Sequence, residues 1–263
     1  MNNYSYASMR DTFDMSAYLV VGPQDCKSRT ITGVIEDALR GGATFIQLRA
    51  KNTDAKDITS MARDIAQVIE NNGKSDSVAF VIDDRVDVVW QARHKGIKVD
   101  GVHIGQTDLE PQEARALLGE DAIVGLSAET ESLVKLINEL PAGCIDYIGA
   151  GPLHVSTTKP EASVGGNDGS GHTLDEAQIN AICDASDFPV VVGGGVTADD
   201  MEMLAHSKAA AGLLCRPLPA QAIRKRRPAI WFRDGRQCAV MQSMGTYCAN
   251  SNHGSRIFQN FAS

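Results

Sequence analysis

Between residues 18 and 214 of this 263-residue chain, eight short apolar runs alternate with stretches of helical period. The runs fall at 18–21, 44–48, 78–82, 99–104, 122–126, 147–149, 189–192 and 210–214. Helical segments follow at 32–40, 54–72, 86–94, 111–118, 131–140, 174–185 and 198–206. In the second segment Ile58, Met61, Ile65, Val68 and Ile69 recur on one face, as an amphipathic helix requires. The apolar runs do not alternate with polar residues, so both faces of each strand are covered, as in a parallel sheet flanked by helices. Eight such units predict an α/β chain folded as a (β/α)₈ TIM barrel, and an open doubly wound sheet is the alternative. In a barrel, residues that do chemistry stand just after the strands, on one face. The unusual polar residues of this chain stand there.

Two apolar runs separated by one helix end in carboxylates: Asp83 and Asp84 after the third, Asp108 just past the fourth. An unpaired buried carboxylate is costly. Each Asp taken alone reads equally well as a loop cap. Together they fit a site for a hard divalent cation such as Mg²⁺, which takes oxygen ligands.

Basic and small residues complete the pattern. Gln47, Arg49 and Lys51 close the second run, where a guanidinium fork and a point charge two residues apart suit a phosphate or diphosphate. The alternative is a solvated basic rim. After the sixth run come Ser156, Thr157, Thr158 and Lys159, all anion-binding groups, on what could otherwise be a plain surface loop. Gly193, Gly194 and Gly195 follow the seventh run, and such a turn before a helix exposes N–H groups to an anion. Ser127 adds a hydroxyl after the fifth run, and His103 in the fourth reads best as a packed, hydrogen-bonded residue. No nucleophile–base pair stands out, so the chemistry expected is stabilisation of a leaving group's charge by cations and metal.

Composition narrows the setting. Net charge is −8, yet from Cys215 onward eight Lys/Arg face one acid, Asp234, so the body is the more acidic part. An acidic body argues against general nucleic-acid binding. No apolar run is long enough to span a membrane, and the first residues lack the basic start and apolar block of a secretory leader. Six cysteines without CxxC spacing indicate neither zinc nor a dithiol centre, and a reduced, cytoplasmic setting is expected.

The segments QLRAK (47–51), IDDRVDV (82–88), GVHIGQTD (101–108), GLS (125–127), YIGAGPLHVSTTK (147–159) and PVVVGGGV (189–196) occur in one order. Together they resemble the thiamine-phosphate synthase family; thiazole tautomerase is a close relative sharing part of the pattern. The resemblance implies an Mg²⁺-dependent transferase of thiamine biosynthesis, acting on small molecules and with a homo-oligomer possible. Such an enzyme joins a hydroxymethylpyrimidine diphosphate to a thiazole phosphate, with loss of pyrophosphate. It further implies that Gln47, Arg49, Lys51, Ser127 and Lys159 hold the pyrimidine diphosphate, the last four as catalytic groups. Asp84 and Asp108 would hold Mg²⁺, and Ser156, Thr157, Thr158 and Gly195 the thiazole phosphate. Asp83 stands where Asn is common, as a third metal-site acid or a partner of the pyrimidine. Ser156 stands where Thr is usual.

The chain thus divides into an N-terminal extension (1–16), a barrel (17–214) and a basic tail (215–263). Past residue 214 the periodicity ends: Pro217, Pro219 and Pro228 interrupt any closing helix, and Cys215-Arg216-Pro217 replaces the Val-Ser or Ile-Ser pair of the resembled family. The tail reads as a disordered extension, an anion-binding arm, or the product of a shifted reading frame whose alternative would restore a Ser-Ala and a final helix. A barrel that binds phosphorylated ligand without turning it over is the competing expectation.

Overall fold

The computed structural model describes residues 6–154, 173–209, 211–214, 229–231 and 238–240. Eight parallel strands close a barrel in chain order: β1 (Tyr18–Val21), β2 (Phe45–Leu48), β3 (Ala79–Asp83), β4 (Gly101–Ile104), β5 (Ile123–Ser127), β6 (Tyr147–Ala150), β7 (Val190–Val192) and β8 (Ala211–Leu214). The pairing of Tyr18 with Leu213 and Leu19 with Leu214 joins β8 back to β1 and decides for the barrel over the open sheet. Helices α1 (Ile31–Arg40), α2 (Ala55–Asn71), α3 (Val86–His94), α4 (Pro111–Leu118), α5 (Glu131–Asn138), α6 (Glu176–Ala185) and α7 (Met201–His206) follow successive strands. Within the tail, β9 (Ala229–Trp231) and β10 (Cys238–Val240) pair antiparallel. The rest of the tail lies outside the described residues. No helix among the described residues is long and apolar enough to cross a membrane.

Two helix starts differ from expectation. Thr30 caps α1, its hydroxyl accepting from the Gly33 N–H at 3.1 Å, because an N-cap oxygen must reach the third residue on. The segment at 198–206 begins as a 3₁₀ turn (Ala198–Asp200), where the Asp200 carboxylate takes the N–H and hydroxyl of Thr197.

Strand alternation sorts the core into two layers. Tyr18, Val20, Phe45, Ala79, Val81, Ile123, Tyr147 and Val191 fill the barrel interior with Met9 and Met15. Their sequence neighbours, among them Leu19, Ile46, Phe80, Val102 and Val124, pack outward on helix residues such as Ile35, Ile65 and Val89.

The end of the barrel where strands begin is closed by residues 6–16. Phe13 meets Phe45 edge-on, with centroids 5.8 Å apart. Arg10 reaches the Asp146 carboxylate at 2.8 Å and the carbonyls of Glu120 and Gly143 at 2.6 and 2.9 Å. Buried charges at this end are paired with one another: Lys98 with Asp100, Arg93 with Asp121, Arg115 with Asp146. This end of the barrel is a structural floor. The opposite end carries every described residue singled out from the sequence.

Candidate active site

Asp84 follows β3 directly and has φ of 62°, in the left-handed region that few residues other than Gly, Asn and Asp enter. That turn swings its carboxylate toward Asp108, from the loop after β4. The Asp108 carboxylate is near enough for its charge to act on that of Asp84. Asp108 is fixed in turn by the Gly105 N–H at 2.7 Å. Burial first, and the Asp108 charge second, push the Asp84 carboxyl above its ordinary range, while Lys51, with Nζ at 3.4 Å, opposes the shift. Two carboxylates held against their own repulsion fit a small divalent cation. Mg²⁺ is commonly bound by one or two carboxylates plus substrate phosphates. Among the described residues no cluster of three or more His, Cys, Asp or Glu forms a cage that would hold a metal without such help.

Asp83 does not join that pair. Strand alternation turns it inward, where Gln47 Nε2 donates to its Oδ1 and Arg49 Nε lies 3.1 Å from its Oδ2. Arg49 is only 5% exposed. The structure therefore brings Gln47, Arg49 and Asp83 together as one buried cluster, and Lys51, 41% exposed at its side chain, is the cation that faces outward.

Ser127, the last residue of β5, lies beside His103 of β4, with Oγ 3.0 Å from Nε2. This is a nucleophile–base type of pair that the sequence alone does not announce. The signal is nonetheless there: His103 pairs with Gly125 across adjacent strands, and Ser127 is two residues on, on the same face. Gln106 Nε2 also donates to the Ser127 carbonyl, at 2.5 Å, tying the loop after β4 to the end of β5.

On the far side, the turn after β7 is laced to the start of the loop after β6. Leu153 N–H bonds the Gly193 carbonyl at 3.0 Å, and His154 N–H bonds that of Gly194 at 2.9 Å. Gly194 and Gly195 have φ of 82° and 75°, and a Cβ on either would strike Pro152 or His154. Only glycine allows this approach. His154 Nε2 also meets Asp200 Oδ1 at 2.7 Å. Burial works against the Asp200 charge, but hydrogen bonds from Thr197 and His154 hold its carboxyl below the ordinary range. Ser156, Thr157, Thr158 and Lys159 lie outside the described residues.

Comparison with known proteins bears on this arrangement. A family model described as thiamine monophosphate synthase matches residues 17–216, the whole barrel. Thiamine-phosphate synthase of Corynebacterium efficiens is 35% identical over 87% of this chain and 100% of its own length.

The chain belongs to the thiamine monophosphate synthase family.

Another relative, thiamine-phosphate synthase of Corynebacterium jeikeium, is 39% identical over 75% of this chain and 84% of its own. A solved thiamine phosphate pyrophosphorylase from Pyrococcus furiosus superposes with a TM-score of 0.60, covering 79% of this chain and 87% of that one at 23% identity, and supports the fold. Membership makes the chain a transferase of thiamine biosynthesis acting on small molecules. The match to the thiamine monophosphate synthase family runs through all eight strands.

Proposed function

We propose that this chain is a thiamine-phosphate synthase that condenses a hydroxymethylpyrimidine diphosphate with a thiazole phosphate, dependent on Mg²⁺ and working in the cytoplasm. The observation that carries the reading is the Asp84–Asp108 pair beside Lys51 at the strand ends. Three carboxylates (Asp83, Asp84, Asp108) meet two cations (Arg49, Lys51) there, so the described site alone would repel an anionic diphosphate. Asp84 and Asp108 would hold a divalent cation, which would reverse that balance and supply positive charge to the diphosphate.

The chemistry is heterolysis followed by capture. The bond from the pyrimidine methylene to oxygen breaks, and its electron pair leaves with the diphosphate. The thiazole nitrogen then donates its lone pair to the pyrimidine methylene cation. No proton changes hands in either step, which suits a site built from charges. Lys51 steadies the leaving oxygens, and Arg49, held by Asp83, adds its positive charge to the same substrate. Ser127 and Lys159 are assigned to the same diphosphate. The thiazole phosphate is placed against the N–H groups of the turn at Gly195, with Ser156, Thr157 and Thr158 on the neighbouring loop.

The test is direct. The purified chain, given both substrates and Mg²⁺, should release pyrophosphate and form thiamine phosphate. Chelation with EDTA should stop turnover, and Asp84→Ala should lower kcat/KM by about a hundredfold or more. Tight binding of both phosphorylated substrates without product would refute the synthase reading in favour of a ligand-binding barrel.

A further inference from the structure

The hydrogen bond between Ser127 and His103 is one end of a chain that crosses the barrel interior. His103 Nδ1 meets the Tyr147 hydroxyl at 3.0 Å. Tyr147 meets the Tyr18 hydroxyl at 2.8 Å, and Tyr18 meets Gln47 Oε1 at 2.6 Å. Gln47 Nε2 then reaches Asp83, which is ion-paired to Arg49. Six side chains from β5, β4, β6, β1, β2 and β3 are thus linked in series.

Space has been left for this chain. A Cβ at Gly125 would lie 2.2 Å from the Tyr147 ring, and one at Gly149 would lie 2.8 Å from the His103 ring. Burial is the main influence on the Tyr147 hydroxyl and raises its pKa, with the Asp83 charge adding to the shift, so it stays a phenol able to donate.

The chain has one direction. A carboxylate accepts only, so it fixes the Gln47 amide with NH₂ toward Asp83 and oxygen toward Tyr18. Tyr18 must spend its single hydroxyl proton on that oxygen, and can only accept from Tyr147. Tyr147, its proton spent in turn, can only accept from His103. A neutral imidazole with its proton on Nδ1 presents a lone pair at Nε2, which accepts the Ser127 hydroxyl.

We propose that His103, Tyr147 and Tyr18 are positioning residues: anchored on Asp83, they hold His103 as the Nδ1–H tautomer and thereby fix the rotamer and hydrogen direction of Ser127 at the substrate site. The two ends of the site, Arg49–Asp83 and Ser127, are then set together through the barrel interior. A substitution inside the barrel is felt at the hydroxyl without touching substrate.

Two measurements test this on the full chain. Long-range proton–nitrogen correlation spectra of ¹⁵N-labelled protein read the histidine tautomers without reference to activity. His103 is expected in the Nδ1–H form, and Tyr147→Phe, which keeps the ring in place, is expected to abolish that preference. A proton on Nε2 in the wild type, or a tautomer indifferent to Tyr147→Phe, overturns the proposal. The second measurement rests on the proposed synthase activity. Ser127→Ala and Tyr147→Phe should each raise KM for the pyrimidine diphosphate, Tyr147→Phe by about tenfold. In the double variant the loss should be no greater than for Ser127→Ala alone. Additive losses would mean that Tyr147 acts on the fold and not through Ser127. An inactive wild type with the expected tautomer would refute the synthase reading and leave the relay standing.

Discussion

Asp84 bears two costs at once, a left-handed backbone and a carboxylate facing Asp108. Lys51 offsets only part of the second, so both belong to the work of the site. Asn tolerates the same backbone and lacks the charge. Asp84→Asn should therefore raise the stability of the cation-free protein by about 1 kcal/mol, seen as a higher Tm, while removing any further rise on adding Mg²⁺ and most of the turnover. A lower Tm would show that Lys51 outweighs Asp108 at this position. The pair itself was legible in the sequence, because carboxylates at the ends of apolar strands have few structural uses. The placing of Asp83 was not. Adjacent residues on a strand point to opposite faces, but which face belongs to the substrate depends on the turn at residue 84. The Ser127–His103 pair was also hidden, since it depends on the register between two neighbouring strands, which no local pattern fixes.

At the scale of elements, periodicity was enough to locate eight strands and seven helices, because β1 to β7 are covered on both faces and the helices lay one apolar face on them. Ends were less legible where a side chain chooses the cap, as at Thr30 and Asp200. The turn after β7 is where element geometry and binding meet. Gly194→Ala forces a side chain into Pro152 at a backbone angle that L-residues rarely adopt, a strain of roughly 1–3 kcal/mol. It should raise KM for the thiazole phosphate about tenfold or more and leave KM for the pyrimidine diphosphate within about twofold, as separate titrations of each substrate would show. The Asp200 clamp has a pH signature. Its folded carboxyl is held below the ordinary value, so it contributes stability above that value and loses it as pH falls through the folded one. Asp200→Asn should cost about 1 kcal/mol at neutral pH and make the acid limb below about pH 4 shallower in a melting series. An unchanged acid limb would mean that the Thr197 and His154 bonds to this carboxylate add nothing to the fold.

For the whole molecule, the division of labour between the two barrel ends matters most. The floor pairs its buried charges with one another and is sealed by residues 6–16, a segment that looks like a mere extension in the sequence because it lacks periodicity. Its value comes from tertiary contacts: Met9 and Met15 in the interior cluster, Phe13 packed against it, and Arg10 across three loops. Deleting residues 1–16 should lower Tm by about 10 °C or more, given about 2 kcal/mol for each apolar side chain lost from the core. KM values measured well below the new Tm should stay within about twofold, because no site residue lies on this segment. A truncated chain melting with the full-length one would show that the floor is closed without it.

The seam between β1 and β8 has a consequence for how the molecule comes into being. The first strand waits for residues 213 and 214 before its free edge is covered, and Arg10 waits for Asp146, 136 positions later. During synthesis the nascent sheet must therefore carry an unsealed end until β6 arrives, and an open edge on β1 until nearly the whole barrel has left the ribosome. Growth from the ribosome is gradual, but closure is a late event that joins the first strand of the barrel to its last.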